Sequence, residues 1–139
     1  MLARVEGFAT RFDTPDLEGD VIAPGAFSAG GLRFPLPMLH EHRPGAVIGQ
    51  WQAGREDARG LWVEGVIEAG AVPALAGLLS RRTAAGLSIG FRTLEARALP
   101  AGGRRLTAIA LIEVSLVDQP MMPAALARIR APPPTAPAA

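Results

Sequence analysis

The chain has no cysteine and no tyrosine, and all 14 of its Lys+Arg positions are arginine, so it has no lysine either. Its 2 histidines lie in one segment, Met38-Leu39-His40-Glu41-His42. Each absence removes a chemistry. Without cysteine there is no thiolate nucleophile, disulfide framework or thiolate metal site; without lysine, no Ser-Lys dyad or Schiff base; without tyrosine, no tyrosyl acid. Serine with a histidine base, oriented by a carboxylate, is the nucleophilic chemistry left. Aromatic residues make up only 5% of the chain, and the arginines are dispersed among acids at a net charge of +1. The sequence pI of about 9.0 reflects that single excess arginine with nothing to buffer it. Neither a basic stripe nor a stacking platform is present, so a nucleic-acid partner is not expected. No apolar run approaches a membrane span, and the first residues lack a signal peptide's apolar region. A cytoplasmic protein off the membrane is expected.

At 139 residues the chain has room for one core. A single domain is expected over residues 1–130, followed by a disordered Pro/Ala-rich tail over 131–139 with nothing to bury. The domain reads as short strands between Gly/Pro turns, a mainly β pattern with little helix. Strands are expected over 4–12, 46–55, 60–68, 87–99 and 104–118, with 21–22 a short extended piece. Residues 56–60 and 100–103 close two hairpins. In the first, Leu61, Val63 and Ile67 alternate with Trp62, Glu64 and Glu68, as in a half-buried strand. One helical turn is expected from Pro24 to Ser28, ended by Gly30-Gly31. An amphipathic helix is expected over 72–82, with Leu75, Leu78 and Leu79 on one side. Pro35 and Pro37 keep the approach to the histidines extended, placing His40 and His42 on an extended segment or loop.

Leu87, Ile89 and Phe91 alternate with Ser88, Gly90 and Arg92, which turns Ser88 away from the apolar side. Ser88 between Gly86 and Gly90 reads as a nucleophile with room for substrate or, as serines between glycines more often are, as a turn or bulge residue. Residue physics alone does not choose between them. Residues 108–117 are almost continuously apolar, as expected of a strand covered on both faces. Glu113 stands inside that run, where a carboxylate is costly to bury without an ionic or hydrogen-bonded partner. A histidine N–H or one of the arginines could be that partner. His40 and His42, two apart on a strand, would share a face and could bind a metal with a distant carboxylate as third ligand. Plain loop residues are the alternative for both.

Taken together, the motifs resemble those of the serine proteases that mature tailed-phage proheads, relatives of which serve gene transfer agents. The resemblance is carried by Gly7-Phe8-Ala9 with Phe12 and Asp13, and by Gly19-Asp20-Val21-Ile22-Ala23-Pro24-Gly25-Ala26-Phe27. It continues through Met38-Leu39 to His42 with Ile48-Gly49, and through Gly60-Leu61-Trp62-Val63-Glu64-Gly65. Gly86-Leu87-Ser88-Ile89-Gly90-Phe91 follows, then Glu113-Val114-Ser115-Leu116-Val117 with Pro120, Pro123 and Ala124. No one motif is decisive; six in this order are specific.

The resemblance implies a β-barrel with one or two peripheral helices, similar to herpesvirus assemblin. It implies Ser88 as nucleophile, His42 as base and Glu113 as the acidic member, with backbone N–H groups for the oxyanion and no cofactor or metal. Arg43 follows His42 where such proteases often carry an acid. The implied substrate is the major capsid protein precursor with its scaffold segment, and the protease's own chain. The portal or prohead shell and a second copy of the chain are further candidate partners. The implied location is the assembling prohead in the bacterial host cytoplasm. With no extension ahead of the first strand, no N-terminal propeptide or scaffold domain is expected. The competing readings are a non-catalytic capsid-assembly or scaffold module and a small metal-binding β-barrel.

Overall fold

The computed structural model describes residues 3–71 and 85–130. The helix expected over 72–82 and the tail over 131–139 lie outside them. The elements are β1 (Ala3–Arg11), β2 (Val21–Ile22), α1 (Ala26–Ala29), β3 (Leu36–His40), β4 (Val47–Glu56), β5 (Gly60–Ile67), a 3-10 turn at Ala69–Ala71, β6 (Ala85–Ala98), β7 (Arg104–Val117) and β8 (Leu126–Arg130).

Neighbouring strands run β7-β3-β4-β5-β1-β8-β6, and the β6–β7 pairing returns to the start, closing a barrel of seven strands. Closure pairs the sheet edges that an open sheet would leave bare. β2 adds two parallel residues to β7, Val21 opposite Arg105 and Ile22 opposite Leu106. The two expected hairpins are β4–β5 and β6–β7, and in β5 the apolar alternation lies as read: Leu61, Val63 and Ile67 are fully buried while Glu64 is exposed. Trp51, Phe27, Met38, Leu87, Leu106, Ile109 and Leu116 complete the centre of the core. Each such side chain contributes roughly 1.5–3 kcal/mol by leaving water. The buried Trp51 indole donates to the Val114 carbonyl at 2.9 Å, so its polar atom is satisfied. Gly30 ends α1 where the helix lies on β7. A Cβ there would sit 1.7 Å from the Ile109 carbonyl oxygen, so this approach needs a residue without a side chain.

Two expectations need correction. The run 108–117 is not covered on both faces throughout, because Ile112 is 55% exposed. It is the extra residue of a β-bulge: Gly90 opposes Glu113 and Phe91 opposes Leu111, leaving Ile112 unopposed. A bulge shifts side-chain alternation by one. Ile109 and the partly buried Leu111 therefore pack with the core before it, and Val114 and Leu116 after it. The last strand, β8, was not foreseen from the sequence. Its five residues sit between β1 and β6, pairing with both, and complete the barrel. A piece so short, flanked by Pro123 and carrying Arg128, has too little periodicity to register as a strand.

Candidate active site

β7 organises the site because its two edges carry β6 and β3. Ser88 of β6 lies directly opposite Ser115 of β7 in antiparallel register, and Gly90 opposite Glu113. On the other edge β3 runs parallel, with Leu39 opposite Ser115 and His40 opposite Leu116. Residues opposed across a sheet share a face, and residues two apart along a strand do too. Ser88, Glu113 and Ser115 therefore form one polar patch, turned away from Leu87, Val114 and Leu116 in the core. The bulge at Ile112 decides this. Without it Glu113 would share the core-facing alternation of Ile109 and Leu111. Gly90 makes room for the carboxylate, since a Cβ there would lie 2.2 Å from Glu113 Oε1.

His42 reaches the patch from the turn after β3. The strand ends at His40, and Glu41 and His42 both take left-handed backbone conformations with φ of 52° and 58°. Such angles are unfavourable for residues with a Cβ and need outside support. Here the Glu41 N–H donates to the Leu116 carbonyl at 3.0 Å, and the Glu41 carboxylate accepts the Asp118 N–H at 2.7 Å. The His42 N–H donates to Ser115 Oγ at 3.0 Å. The turn folds the imidazole over the patch, with Nε2 2.9 Å from Ser88 Oγ and Nδ1 2.5 Å from Glu113 Oε1.

The chemistry of these partners assigns the protons. A carboxylate only accepts, so Nδ1 carries the imidazole hydrogen toward Glu113, leaving the Nε2 lone pair to accept the Ser88 hydroxyl proton. The second carboxylate oxygen accepts from Ser115 Oγ at 2.7 Å. Ser88 and Glu113 are 8% and 7% exposed, whereas the His42 side chain is 42% exposed, so the array opens to solvent on the imidazole side. Ser88 also borders a largely apolar cleft lined by Ile22, Ile89, Phe91, Met121 and Met122.

Ser88, His42 and Glu113, each singled out in the sequence, are thus in contact. Among the described residues Glu113 is satisfied by His42 and Ser115 rather than by an arginine. His40 is not part of the array. The left-handed turn at Glu41 breaks the strand alternation on which a shared metal face would depend, and both ring nitrogens of His42 are engaged. Ser115 and Gly90 were missed as site residues. The signal for Ser115 was its place two residues after Glu113 on one strand; that for Gly90 is only its register.

A serine hydroxyl, an imidazole and a carboxylate joined in that order on a small β-barrel form the arrangement of a serine-hydrolase triad. Residues 2–132 match the family described as caudovirus prohead serine protease, and the chain belongs to that family. It is 33% identical over 91 residues to the prohead protease of Enterobacteria phage HK97, a match covering 62% of this chain and 40% of that protein. The match thus spans about two fifths of the length of this curated relative. In fold it is similar to the protease of Kaposi's sarcoma-associated herpesvirus crystallised with a hexapeptide phosphonate inhibitor, with a TM-score of 0.68 at 19% identity. That match covers 95% of this chain and 66% of the viral one. The varicella-zoster virus protease is similar at a TM-score of 0.64 and 12% identity, over 95% and 65% of the two chains.

Proposed function

We propose that the chain is the endopeptidase of prohead maturation, which cuts the scaffold segment of a capsid precursor, and its own chain, inside an assembling particle. The observation that carries this reading is the continuous Ser88–His42–Glu113 array in a chain of the prohead protease family. Ser88 Oγ attacks the scissile carbonyl carbon while His42 Nε2 takes the hydroxyl proton. The C–N bond then breaks as His42 returns that proton to the leaving amine, giving an acyl-serine. Water, deprotonated by the same nitrogen, then attacks the acyl carbon; the C–Oγ bond breaks as His42 returns the proton to Ser88 Oγ, which releases the acid and restores both residues. Glu113 holds the Nδ1 proton and stabilises the imidazolium that forms in each step. No cofactor enters this scheme. The capsid precursor is the partner the reading requires, and the interior of the prohead is the place. The experiment is co-expression with the capsid precursor from the same genome. Wild-type chain should shorten the precursor and Ser88→Ala should leave it intact; processing by the variant would refute the proposal.

A further inference from the structure

Ser115, directly opposite Ser88 on the neighbouring strand, hydrogen-bonds to both the base and the acid of the array. It is fully buried, its Oγ accepts the His42 backbone N–H at 3.0 Å, and the same Oγ donates to Glu113 Oε2 at 2.7 Å. One hydroxyl can do both, because its hydrogen points at the carboxylate while a lone pair faces the amide. The His42 amide belongs to the turn whose left-handed φ angles need support, and the carboxylate is the group that aims the imidazole.

We propose that Ser115 is a positioning residue of the triad, tying the backbone of the base to the carboxylate that orients its ring. This rests on the catalytic reading of Ser88, His42 and Glu113 above. Glu113 needs both oxygens held if Oε1 is to stay on Nδ1; with Oε2 released, the carboxylate can rotate about its last bond. The His42 turn needs its N–H accepted if the ring is to stay over Ser88. Both constraints meet on one oxygen, so its loss loosens the two ends of the His42–Glu113 bond at once. A displacement on the order of 1 Å at a catalytic group costs about 100-fold in rate.

The test compares wild type, Ser115→Ala and Ser115→Thr in the full chain, using labelling by a fluorophosphonate and the proton spectrum. In labelling, Ser88 Oγ displaces fluoride from phosphorus and His42 takes the hydroxyl proton, so the maximal rate reads the nucleophile–base pair, while the half-saturating concentration reads reagent binding. Ser115→Ala should remain folded by thermal unfolding and lose about 10–100-fold in maximal rate with half-saturation little changed. The downfield resonance of the His42 Nδ1 proton should shift or broaden. Ser115→Thr, which keeps the hydroxyl, should restore rate and resonance to near wild type. A folded Ser115→Ala variant that labels at the wild-type rate, or loses rate while the resonance is unmoved, would overturn the proposal. So would a folded Ser115→Thr as impaired as alanine. Ser88→Ala separates the two readings: labelling that survives it refutes Ser88 as the nucleophile, whereas the resonance reports on Ser115 with no nucleophile present.

Discussion

Adding one methyl group at Gly90 should disable the site while leaving the barrel intact. The Cβ of Gly90→Ala would lie 2.2 Å from Glu113 Oε1, 2.8 Å from its Cδ and 2.9 Å from its Cγ. Since non-bonded contact needs about 3.5 Å, the carboxylate must retreat by about 1 Å. The atoms met belong to a side-chain end rather than to backbone, so the β6–β7 pairing need not move. Yet Oε1 is the atom that holds His42 Nδ1 at 2.5 Å, and such a retreat takes the pair past the roughly 3.2 Å limit of a good hydrogen bond. The expected rate loss is about 100-fold from misorientation, rising toward 10⁴-fold if His42 adopts the wrong tautomer. Leaving the buried carboxylate without the His42 N–H costs about 1–3 kcal/mol, and the 42% exposure of the His42 side chain lets water replace part of that bond, which puts the expected loss toward the lower end of the range. Fluorophosphonate labelling and thermal unfolding measure the two effects. Gly45→Ala, where a Cβ would meet nothing within 4 Å, is the neutral control. Gly30→Ala, which would drive a Cβ against the Ile109 carbonyl, is the folding-defective one. A folded Gly90→Ala that labels at the wild-type rate would refute the argument.

Ser88→Ala should abolish labelling and precursor cleavage while costing about 1 kcal/mol or less of stability, the worth of one hydrogen bond; a larger loss by chemical denaturation would make Ser88 structural. His42→Ala should abolish cleavage and His40→Ala should retain most of it, because only His42 meets Ser88 and Glu113; equal losses would contradict the assignment of the base. Glu113→Gln should fold but react about 10²–10⁴-fold more slowly, since an amide cannot stabilise imidazolium; wild-type labelling would remove Glu113 from the chemistry. In the β4–β5 turn, hydrogen bonds from the side chain and then the backbone of Arg59 hold the Asp57 carboxyl below the usual carboxylate value. A depressed folded-state value means stability present above the unfolded pKa and lost as pH falls through the folded one. The melting-temperature advantage of wild type over Asp57→Asn should therefore be present at neutral pH and shrink on acidification; an advantage that grows in acid would reverse the sign.

Much of this molecule is legible in its residues because the informative patterns are local. The period-2 alternation of residues 60–68, the Gly/Pro turns at 56–60 and 100–103, and the helical turn after Pro24 each follow from a few consecutive residues. Absence was as telling as presence: with no cysteine, lysine or tyrosine, thiolate, Ser-Lys, Schiff-base and tyrosyl chemistries are excluded, and the two histidines are the only imidazole bases a serine could use. What composition could not do was choose among serines or place Glu113 against a histidine rather than an arginine. It also could not separate His42 from His40.

Those choices belong to register, which is set by strands far apart in the chain. Ser88 and Ser115 become opposite residues, and Leu39 joins them from the other edge, only when β6 and β3 both pair with β7. The bulge at Ile112 turns Glu113 out of the core, yet in the sequence it looks like one more apolar residue in a continuous run. The left-handed turn at Glu41 and His42 is held by Leu116, Ser115 and Asp118, about seventy-five residues downstream. Local sequence determined the element types and the chemical groups available. Tertiary pairing decided which groups meet, because a one-residue change of register moves a side chain to the opposite face of the sheet.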